Sequence, residues 1–268
     1  MSKLLITGHR GWIGTNLTKV LDQNLVNWVG IDRVDGEDLL ASMQPFLDKV
    51  IDCDIVIHLA ATPRIPASWI NADHYRDNNV SVTDKIARIC AEQGKHLIFA
   101  SSSSVYGNGQ GPLNPYSWTK LAGEQSIEMY GRSMGLNYTI MRFFTNYGED
   151  DPSGLVIGKW IKQYQAGEPL LVRGTGEQSR DFIHVMDTAR AILACCNSLP
   201  NQQTLDIGIG ETHKLIDLAR IFNTKIVYEP ELQGYAQATT ANITHTQEFI
   251  TWWPRIQLSD WIRSQLVK

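Results

Sequence analysis

A tyrosine and a lysine four positions apart, Tyr116 and Lys120, are the residues of this sequence with the clearest chemical use. In a helix this spacing puts both side chains on one face. Tyrosine is a poor base at neutral pH, because its ordinary pKa is about 10. A lysine cation beside the phenol stabilises the phenolate and lowers that pKa, so that the phenol can take a proton from a hydroxyl group. The same spacing also occurs by chance on solvated helices.

A run of serines, Ser101 to Ser104, stands upstream of this pair, where a predicted strand ends. In open α/β sheets, ligands bind at the carboxyl ends of the strands. A serine hydroxyl at that edge can donate to and accept from a reacting oxygen, and so stabilise charge as it develops. A serine run is otherwise an ordinary loop. Beside Tyr116 and Lys120, it predicts a catalytic constellation.

Three glycines, Gly8, Gly11 and Gly14, follow the first predicted strand and open a predicted helix. Glycines in this context allow a tight turn, close approach of the backbone to a pyrophosphate, and close packing of helix on strand. The helix N-terminus then offers unpaired N–H groups and a positive dipole end to the phosphates. Asp32, after the second strand, can accept hydrogen bonds from both ribose hydroxyls and repels a 2′-phosphate. This pattern predicts a dinucleotide site and favours NAD over NADP, although Arg33 could pair with a 2′-phosphate.

Short apolar strands alternate with helical stretches through the first two-thirds of the chain. The strands are predicted at residues 4–7, 28–32, 55–59, 96–101, 138–143 and 204–207. They are continuous apolar runs, as expected of strands that are buried on both faces. Helical spacing is clear at residues 82–90, with Gly94 as the stop signal. The alternation predicts an α/β fold with a doubly wound parallel sheet, the Rossmann arrangement.

The rhythm of the pattern changes after Gly148. We predict a dinucleotide-binding domain over residues 1–148 and a small substrate-binding lobe over 149–268, with approximately 174–210 returning to the sheet. The lobe is predicted to open with a helix from residues 150–153 to Gly167, and to end with a helix over 258–267. The apolar face of the first helix is Val156, Ile157, Trp160, Ile161 and Tyr164.

Composition excludes several classes of protein. The 268 residues are 43% hydrophobic and 19% charged, which is typical of soluble globular chains. No run approaches the ~20 apolar residues of a membrane span, and no secretory signal is evident. A net charge of −4 without a basic stripe argues against nucleic acid as the main partner. The four cysteines lack metal-ligand spacing, so we predict reduced thiols, no metal site and a cytoplasmic location.

The glycine spacing, the Tyr-x-x-x-Lys pair and the segment from Ser102 to Gly107 resemble the extended short-chain dehydrogenases/reductases. Within that group they are similar to the NAD-dependent nucleotide-sugar epimerases and dehydratases. The resemblance continues in order along most of the chain. It is carried by His58-Leu59-Ala60-Ala61, Asn79-Val80, residues 142–148, residues 174–187 and Trp253-Pro254. The resemblance implies an NAD-dependent enzyme acting on a nucleotide-linked sugar, and a homodimer formed through helices at 116–134 and 82–91.

Motifs and resemblance together give each site residue an expected role. Catalysis is expected from Ser102, Tyr116 and Lys120. Cofactor contacts are expected from Gly8, Gly11, Trp12, Ile13, Gly14, Asp32, Arg33, Leu59, Ala60, Ala61, Asn79, Tyr116 and Lys120. Substrate contacts are expected from Ser102, Thr145, Asn146 and Arg180. Arg180 would hold the substrate diphosphate, with a local salt bridge to Asp181 as the alternative. His184 is expected in the scaffold, and Asp38 and Leu39 near the adenine.

The serine run also narrows the reaction. In the dehydratases that the sequence resembles, an Asp-Glu pair follows the catalytic hydroxyl residue; here these positions are Ser103 and Ser104. Uronic-acid decarboxylases of the group carry a glutamate where Ser104 stands. We therefore expect a 4-epimerase or, as the alternative, an NAD(P)-dependent keto-sugar reductase or dehydrogenase. A non-catalytic dinucleotide-sensing protein is a third hypothesis, but such proteins commonly lack the Tyr and the Lys. Thr145 replaces an asparagine of the group, and the chain is shorter than most relatives, which predicts a trimmed substrate lobe.

Overall fold

The computed structural model describes residues 3–151 and 154–266. Its strands are β1 (Leu4–Thr7), β2 (Trp28–Ile31), β3 (Ile55–His58), β4 (His96–Ser102), β5 (Asn137–Phe143), β6 (Thr145–Tyr147), β7 (Leu170–Arg173), β8 (Ser179–Arg180), β9 (Phe182–His184), β10 (Gln203–Ile207), β11 (His213–Lys214) and β12 (Ile226–Glu229). Its helices are α1 (Trp12–Gln23), α2 (Gln44–Val50), α3 (Ile65–Ile70), α4 (Ala72–Arg76), α5 (Val82–Glu92), α6 (Pro115–Met134), α7 (Val156–Gln165), α8 (Val185–Ser198), α9 (Leu215–Ile221), α10 (Ile243–Phe249) and α11 (Leu258–Leu266). Short 3₁₀ turns follow β2 and β4, at Arg33–Asp35 and Ser103–Tyr106, and a π-helical turn, Asp77–Ser81, joins α4 to α5.

Six strands form the central sheet in the order β2-β1-β3-β4-β5-β10, and every neighbouring pair is parallel. From β1 the chain crosses to β2 on one side and later to β3 on the other. The strand order therefore reverses between β1 and β3, and the crevice above their carboxyl ends is where such sheets bind ligands. The predicted doubly wound parallel sheet is confirmed.

Helices cover both faces of the sheet because each strand presents apolar residues alternately to the two sides. Leu4 and Ile6 join the buried cluster that contains α1 and α8. Leu5, between them, joins the cluster that contains α2, α5 and α6. Full burial of one such aliphatic side chain stabilises the fold by roughly 1.5–3 kcal/mol. The two cores hold the carboxyl ends of the strands in fixed relative positions.

A third core, separate from the sheet, builds the C-terminal lobe. It packs α7, α9 and α11 around β7, with Trp160 and Phe222 in edge-to-face contact. α7 begins at Val156, later than the predicted start at 150–153, and the carboxylate of Asp151 accepts the Leu155 amide just before it. Pro152, Ser153 and Val267 belong to the predicted helices but lie outside the described residues.

The chain returns to the sheet between these lobe segments. α8 belongs to the same buried cluster as α1, and β10 pairs with β5 at the edge of the sheet. All four cysteines carry free thiols. Across residues 3–151 and 154–266, no helix combines the length and apolar character that a membrane crossing requires.

Candidate active site

A cleft of about 1100 Å³ runs along the carboxyl edge of the sheet and continues into the C-terminal lobe. Its walls include the glycine loop, the serine turn, the first part of α6, and Arg180 from the lobe. The structure thus brings together on this cleft every residue for which we predicted a catalytic, cofactor or substrate role, with one exception. Asn79 is fully buried and does not border the cleft.

The glycine loop is tightly packed at the start of α1. Gly8 has a φ of +80°, and a side-chain carbon there would lie 2.7 Å from the amide nitrogen of Ala60. A side-chain carbon at Gly14 would lie 2.7 Å from Cα of His9. α1 begins after Gly11 without a side-chain cap, so its first amides are left for another acceptor. These features fit a pyrophosphate at the helix N-terminus.

Asp32 stands at the cleft wall beyond this loop. Its carboxylate accepts the Arg10 amide at 3.0 Å and the Val34 amide at 3.1 Å, which fixes the orientation of the group. Asp35, three residues on, pairs with the Arg10 guanidinium and does not itself border the cleft. Arg33, which is exposed, borders the cleft next to Asp32. Asp38 and the buried Leu39 border the cleft as well.

Asn79 supports the wall of the cleft indirectly, through the residues that its side chain contacts. Its side chain accepts the Thr62 amide at 2.7 Å, donates to the Thr62 carbonyl at 3.0 Å, and donates to Thr119 Oγ1 at 3.1 Å. The amide therefore ties the loop that follows Leu59–Ala61 to α6. A direct cofactor contact was predicted for Asn79, but the residue that borders the cleft at this point is Asn78.

Ser102, Tyr116 and Lys120 meet at the centre of the cleft. β4 ends at Ser102, and the Ser102 side chain caps the following 3₁₀ turn by accepting the Ser104 amide. The Tyr116 hydroxyl lies near enough to the Ser102 side chain for the serine hydroxyl to lower the pKa of the phenol. One helical turn further along α6, Lys120 is buried and donates to the Ala100 carbonyl at 2.8 Å.

The electrostatics of this centre differ in one respect from our expectation. Burial raises the pKa of Tyr116, and the hydrogen bond from Ser102 opposes that rise. Burial also lowers the pKa of Lys120 to about 8, against the opposing charge of Glu124. In the protein alone, then, the predicted fall in the pKa of Tyr116 is not found, because the cost of burying a phenolate dominates. The Lys120 ammonium is buried and the Tyr116 side chain is half-buried, so charges act on each other there more strongly than in bulk water.

A buried ion pair behind α6 was not predicted from the sequence. Glu124 binds the Arg142 guanidinium with two contacts, at 3.0 and 2.6 Å, and also accepts from the Ser101 hydroxyl. Arg142 in turn lies over the Tyr106 ring, 4.6 Å from its centroid. The pair thus holds α6 against the end of β4, the two elements that carry Tyr116 and Ser102. The sequence did contain a sign of Glu124, because it follows Tyr116 and Lys120 at the same four-residue spacing.

Arg180 provides a cation at the opposite end of the cleft. Within the described part of the chain, its guanidinium donates to the carbonyls of Ser179, at 2.7 Å, and Gln237, at 3.2 Å. The alternative salt bridge is absent, because the Asp181 carboxylate accepts backbone amides of Ile209, Gly210 and Ala241 instead. Burial lowers the pKa of Arg180 below its ordinary value.

Tyr235, which the sequence reasoning missed, completes this end of the cleft. Burial raises its pKa, while the positive charges of Arg173, Arg180 and Arg64 oppose the rise. All four residues border the cleft, so its lobe end concentrates positive charge within a chain of net charge −4. Such a cluster attracts an anionic ligand. No sequence motif marks Tyr235, since it lies in an irregular loop.

The remaining predicted residues have mixed placements. Thr145 borders the cleft, and so does Asn146, but the Asn146 amide donates to the Phe144 carbonyl and accepts from the Thr188 hydroxyl at 2.7 Å. Those contacts leave Asn146 little capacity for a ligand. His184 caps α8 through Nδ1 and packs on Tyr147, so it belongs to the scaffold as expected.

Comparison with known proteins agrees with this geometry. The sequence profile described as the NAD dependent epimerase/dehydratase family matches residues 4–208. An uncharacterized UDP-glucose epimerase of Bacillus subtilis (strain 168), YtcB, is 29% identical over 309 aligned positions, which cover 98% of this chain and 96% of the relative. The aligned region is longer than this chain, so the relative carries insertions that this chain lacks.

Solved structures are similar over nearly their full length. UDP-glucuronic acid 4-epimerase from Bacillus cereus, in complex with UDP-glucuronic acid and NAD, superposes with a TM-score of 0.89 at 28% identity, covering 98% of each chain. UDP-N-acetylglucosamine 4-epimerase from Methanobrevibacter ruminantium M1, in complex with UDP-N-acetylmuramic acid, gives a TM-score of 0.88 at 27% identity, covering 99% of this chain and 97% of that one. The chain belongs to the NAD dependent epimerase/dehydratase family, and it is an enzyme of the extended short-chain dehydrogenase/reductase type.

Proposed function

We propose that this enzyme is an NAD-dependent 4-epimerase of a nucleotide-linked sugar, most plainly a UDP-sugar. Support comes from the triad of Ser102, Tyr116 and Lys120, from the glycine loop and Asp32, and from relatives that are 4-epimerases of UDP-sugars. The cleft extends from the glycine loop to Arg180 in the lobe, so it offers one wall to a dinucleotide and another to the nucleotide of the substrate. NAD would lie against Gly8–Gly14 and Asp32, and the sugar diphosphate against Arg180.

In this proposal the residues of the chain remove one proton from the sugar C4 oxygen and later return it. Tyr116 takes the hydroxyl proton and later returns it, while Ser102 binds the same oxygen and stabilises the charge that develops there. Tyr116 must be a phenolate when it takes this proton and is a phenol when it returns it, and the positive charge of Lys120, one helical turn further along α6, would favour the phenolate. Bound NAD supplies the hydride acceptor and donor for C4. The keto sugar then turns over in the cleft, held only by its diphosphate on Arg180.

The observation that carries the proposal is the set of charged groups around the reacting centre. Among the described residues that border the cleft, the carboxylates are Asp32, Glu37, Asp38 and Glu231. The first three belong to the segment after β2, and the fourth to the lobe loop beside Arg180. Ser103 and Ser104 stand where a dehydratase needs acids, and Glu124 is fully engaged by Arg142. A centre with one phenol and one ammonium suits an epimerase, which exchanges one proton and one hydride with no net change.

The test begins with mass spectrometry of the purified protein under gentle conditions, to identify retained nucleotide. A panel of UDP-, GDP- and dTDP-sugars, including glucose, glucuronic acid and N-acetylglucosamine forms, is then incubated with the enzyme. The proposal expects retained NAD and interconversion of C4 epimers without net consumption of cofactor. Stoichiometric oxidation of added NADH or NADPH, with formation of an alcohol from a keto sugar, would replace it by a reductase.

A homodimer and a cytoplasmic location form part of the proposal. The outer side of α6 exposes Trp118 and Met129, with 49% and 40% of their surface accessible, next to α5. A second copy that packs on these two helices would bury that apolar surface. The four free thiols suit a reducing compartment. Light scattering of the wild type and of Trp118→Lys tests the dimer, since the variant should be a monomer that retains NAD.

A further inference from the structure

The C-terminal lobe reaches back to the catalytic helix through one loop, residues 230–240, which we call the strap. Gln237 in the strap accepts from the Ser179 amide at 2.9 Å and from the Arg180 guanidinium at 3.2 Å. Tyr235, also in the strap, lies close enough to Arg173 and Arg180 for their positive charges to oppose the rise in the pKa of its phenol. One side of the strap is therefore bound to the cations at the lobe end of the cleft.

The other side of the strap is bound to the Rossmann domain. Asn114 Nδ2 donates to the Gly234 carbonyl at 2.8 Å, although the two residues are 120 positions apart. The strap lies close here: a side-chain carbon at Gly234 would be 3.2 Å from the Leu113 carbonyl and 3.4 Å from Trp69 Nε1. Asn108 adds a second link by accepting the Gln237 amide at 2.7 Å.

Asn114 has a second task at its other end. It is the N-cap of α6, where its Oδ1 accepts the Ser117 amide at 2.8 Å and the Ser117 hydroxyl at 2.9 Å. Tyr116 follows two residues later on the same helix. One side chain, 6% exposed, therefore caps the catalytic helix with its oxygen and holds the strap with its nitrogen.

We propose that Asn114 is a positioning residue that fixes the strap over the nucleotide-binding end of the cleft, so that Arg180 and Tyr235 are in place before the nucleotide binds. The inference rests on the proposed function and deepens it. A strap without this bond must be ordered by the ligand itself, and that ordering reduces affinity. Chemistry at Tyr116 is unaffected once the ligand is bound, because the helix cap needs only the oxygen.

Asn114→Ser separates the two tasks. Serine is as good an N-cap as asparagine, carries no charge and is too short to reach the Gly234 carbonyl. We expect the Kd for UDP, measured by calorimetry, and the KM for the nucleotide sugar to rise together by about tenfold, the usual scale of one buried hydrogen bond. The kcat should stay within about threefold and NAD affinity within about twofold of the wild type.

Ser117→Ala is the matched control. It removes the bond from the Ser117 hydroxyl to Asn114 Oδ1 and leaves the bond from Asn114 to the Gly234 carbonyl. It should leave the Kd for UDP within about twofold of the wild type. A loss of kcat or NAD affinity in Asn114→Ser would mean that the residue acts by supporting α6, and would overturn the inference. Equal UDP affinity in Asn114→Ser and wild type would also overturn it. If the wild type binds none of UDP, GDP and dTDP, the proposed function is wrong and the inference falls with it.

Discussion

The sheet end and the lobe end of the cleft are assembled in different ways. At the sheet end, Gly8–Gly14 and Asp32 follow consecutive parallel strands and are held by neighbouring backbone, as in the bonds from the Arg10 and Val34 amides to Asp32. At the lobe end, Arg180 is held by Gln237, 57 residues later in the chain, and the strap is held by Asn114, 120 residues earlier. The two bonds to Asp32 span 22 and 2 positions of sequence, whereas the bonds at the lobe end span 57 and 120.

Because of this difference, substitutions should alter binding more easily at one end of the cleft than at the other. The positions at the sheet end are set by strand ends and a helix start, which the two large cores keep fixed. The positions at the lobe end depend on a loop and on side-chain links between lobes, so substitutions in a few residues can alter what binds there. The following predictions test that division.

The largest effect is expected at the point where the two ends meet. In Tyr116→Phe the ring and its contact with Tyr75 remain, while the hydroxyl that bonds to Ser102 is lost. Because general acid–base catalysis contributes roughly 10²–10⁴-fold, kcat should fall by about that factor. NAD and UDP affinities, measured by calorimetry, should both match the wild type. Undiminished turnover would show that Tyr116 is not the proton-transfer residue.

The buried ammonium of Lys120 should cost the protein stability. The pKa of Lys120 is lowered from 10.5 to about 8, so the folded state disfavours the charged form. The resulting loss of folding stability is complete below about pH 8, and it disappears as the pH rises to the pKa that lysine has in the unfolded chain. Lys120→Met should therefore stop turnover yet raise the free energy of unfolding near pH 7 by about 2 kcal/mol, after the lost bond to Ala100 is allowed for. Urea unfolding of the NAD-free proteins at about pH 7 and about pH 10 measures the difference, which should shrink at the higher pH.

Lys85→Met provides the comparison for that experiment. Lys85 is exposed on α5, so its removal should leave stability unchanged at both pH values. If Lys120→Met were no more stable than the wild type near pH 7, the buried cation would be better compensated than its surroundings indicate.

The contrast between the two ends also explains what the sequence could predict. The sheet, the glycine loop, Asp32 and the Ser102–Tyr116–Lys120 centre follow from short motifs at strand ends and on one helix face, and the structure places all of them on the cleft. Glu124 could have been found by extending the four-residue spacing of that helix face by one turn. The cofactor contact expected of Asn79 stays a prediction: the Asn79 side chain bonds to Thr62 and Thr119, and Asn78 borders the cleft.

The lobe end could be predicted only as far as Arg180. The pairing of Asn114 with Gly234 and the position of Tyr235 depend on how a long irregular loop folds back across the cleft, and no local periodicity records that path. The start of α7 was misplaced for a related reason. Asp-Asp-Pro-Ser is a common helix opening, but here Asp151 accepts the Leu155 amide and the first helical residue is Val156.

At the lobe end, Arg180→Gln should raise the Kd for UDP and the KM for the nucleotide sugar by roughly 10- to 100-fold, because this half-buried guanidinium donates to carbonyls and pairs with no carboxylate of the described residues, so that its charge can act on phosphate. Arg173→Gln is the matched change at the same end. Arg173 is exposed and already lies 3.7 Å from Glu229, so its loss should cost about threefold or less. Similar losses in both variants would point to a diffuse positive field in place of a specific contact at Arg180.

At the sheet end, a single charge should govern the choice of dinucleotide. Asp32→Asn keeps the size of the side chain and one carbonyl oxygen for the Val34 or Arg10 amide, but removes the charge that repels a 2′-phosphate and strengthens the bonds to ribose. We expect NAD affinity to fall about tenfold, the scale of one bond to a charged group, while NADP affinity rises as exposed Arg33 becomes the dominant charge there. Asp48→Asn removes an equal charge from an exposed residue of α2 that does not border the cleft, so the ratio of NAD to NADP affinity should stay near that of the wild type. A similar change of ratio in both variants would mean that the net charge of this region selects the cofactor, and the sheet end would then be less locally specified than its motif indicates.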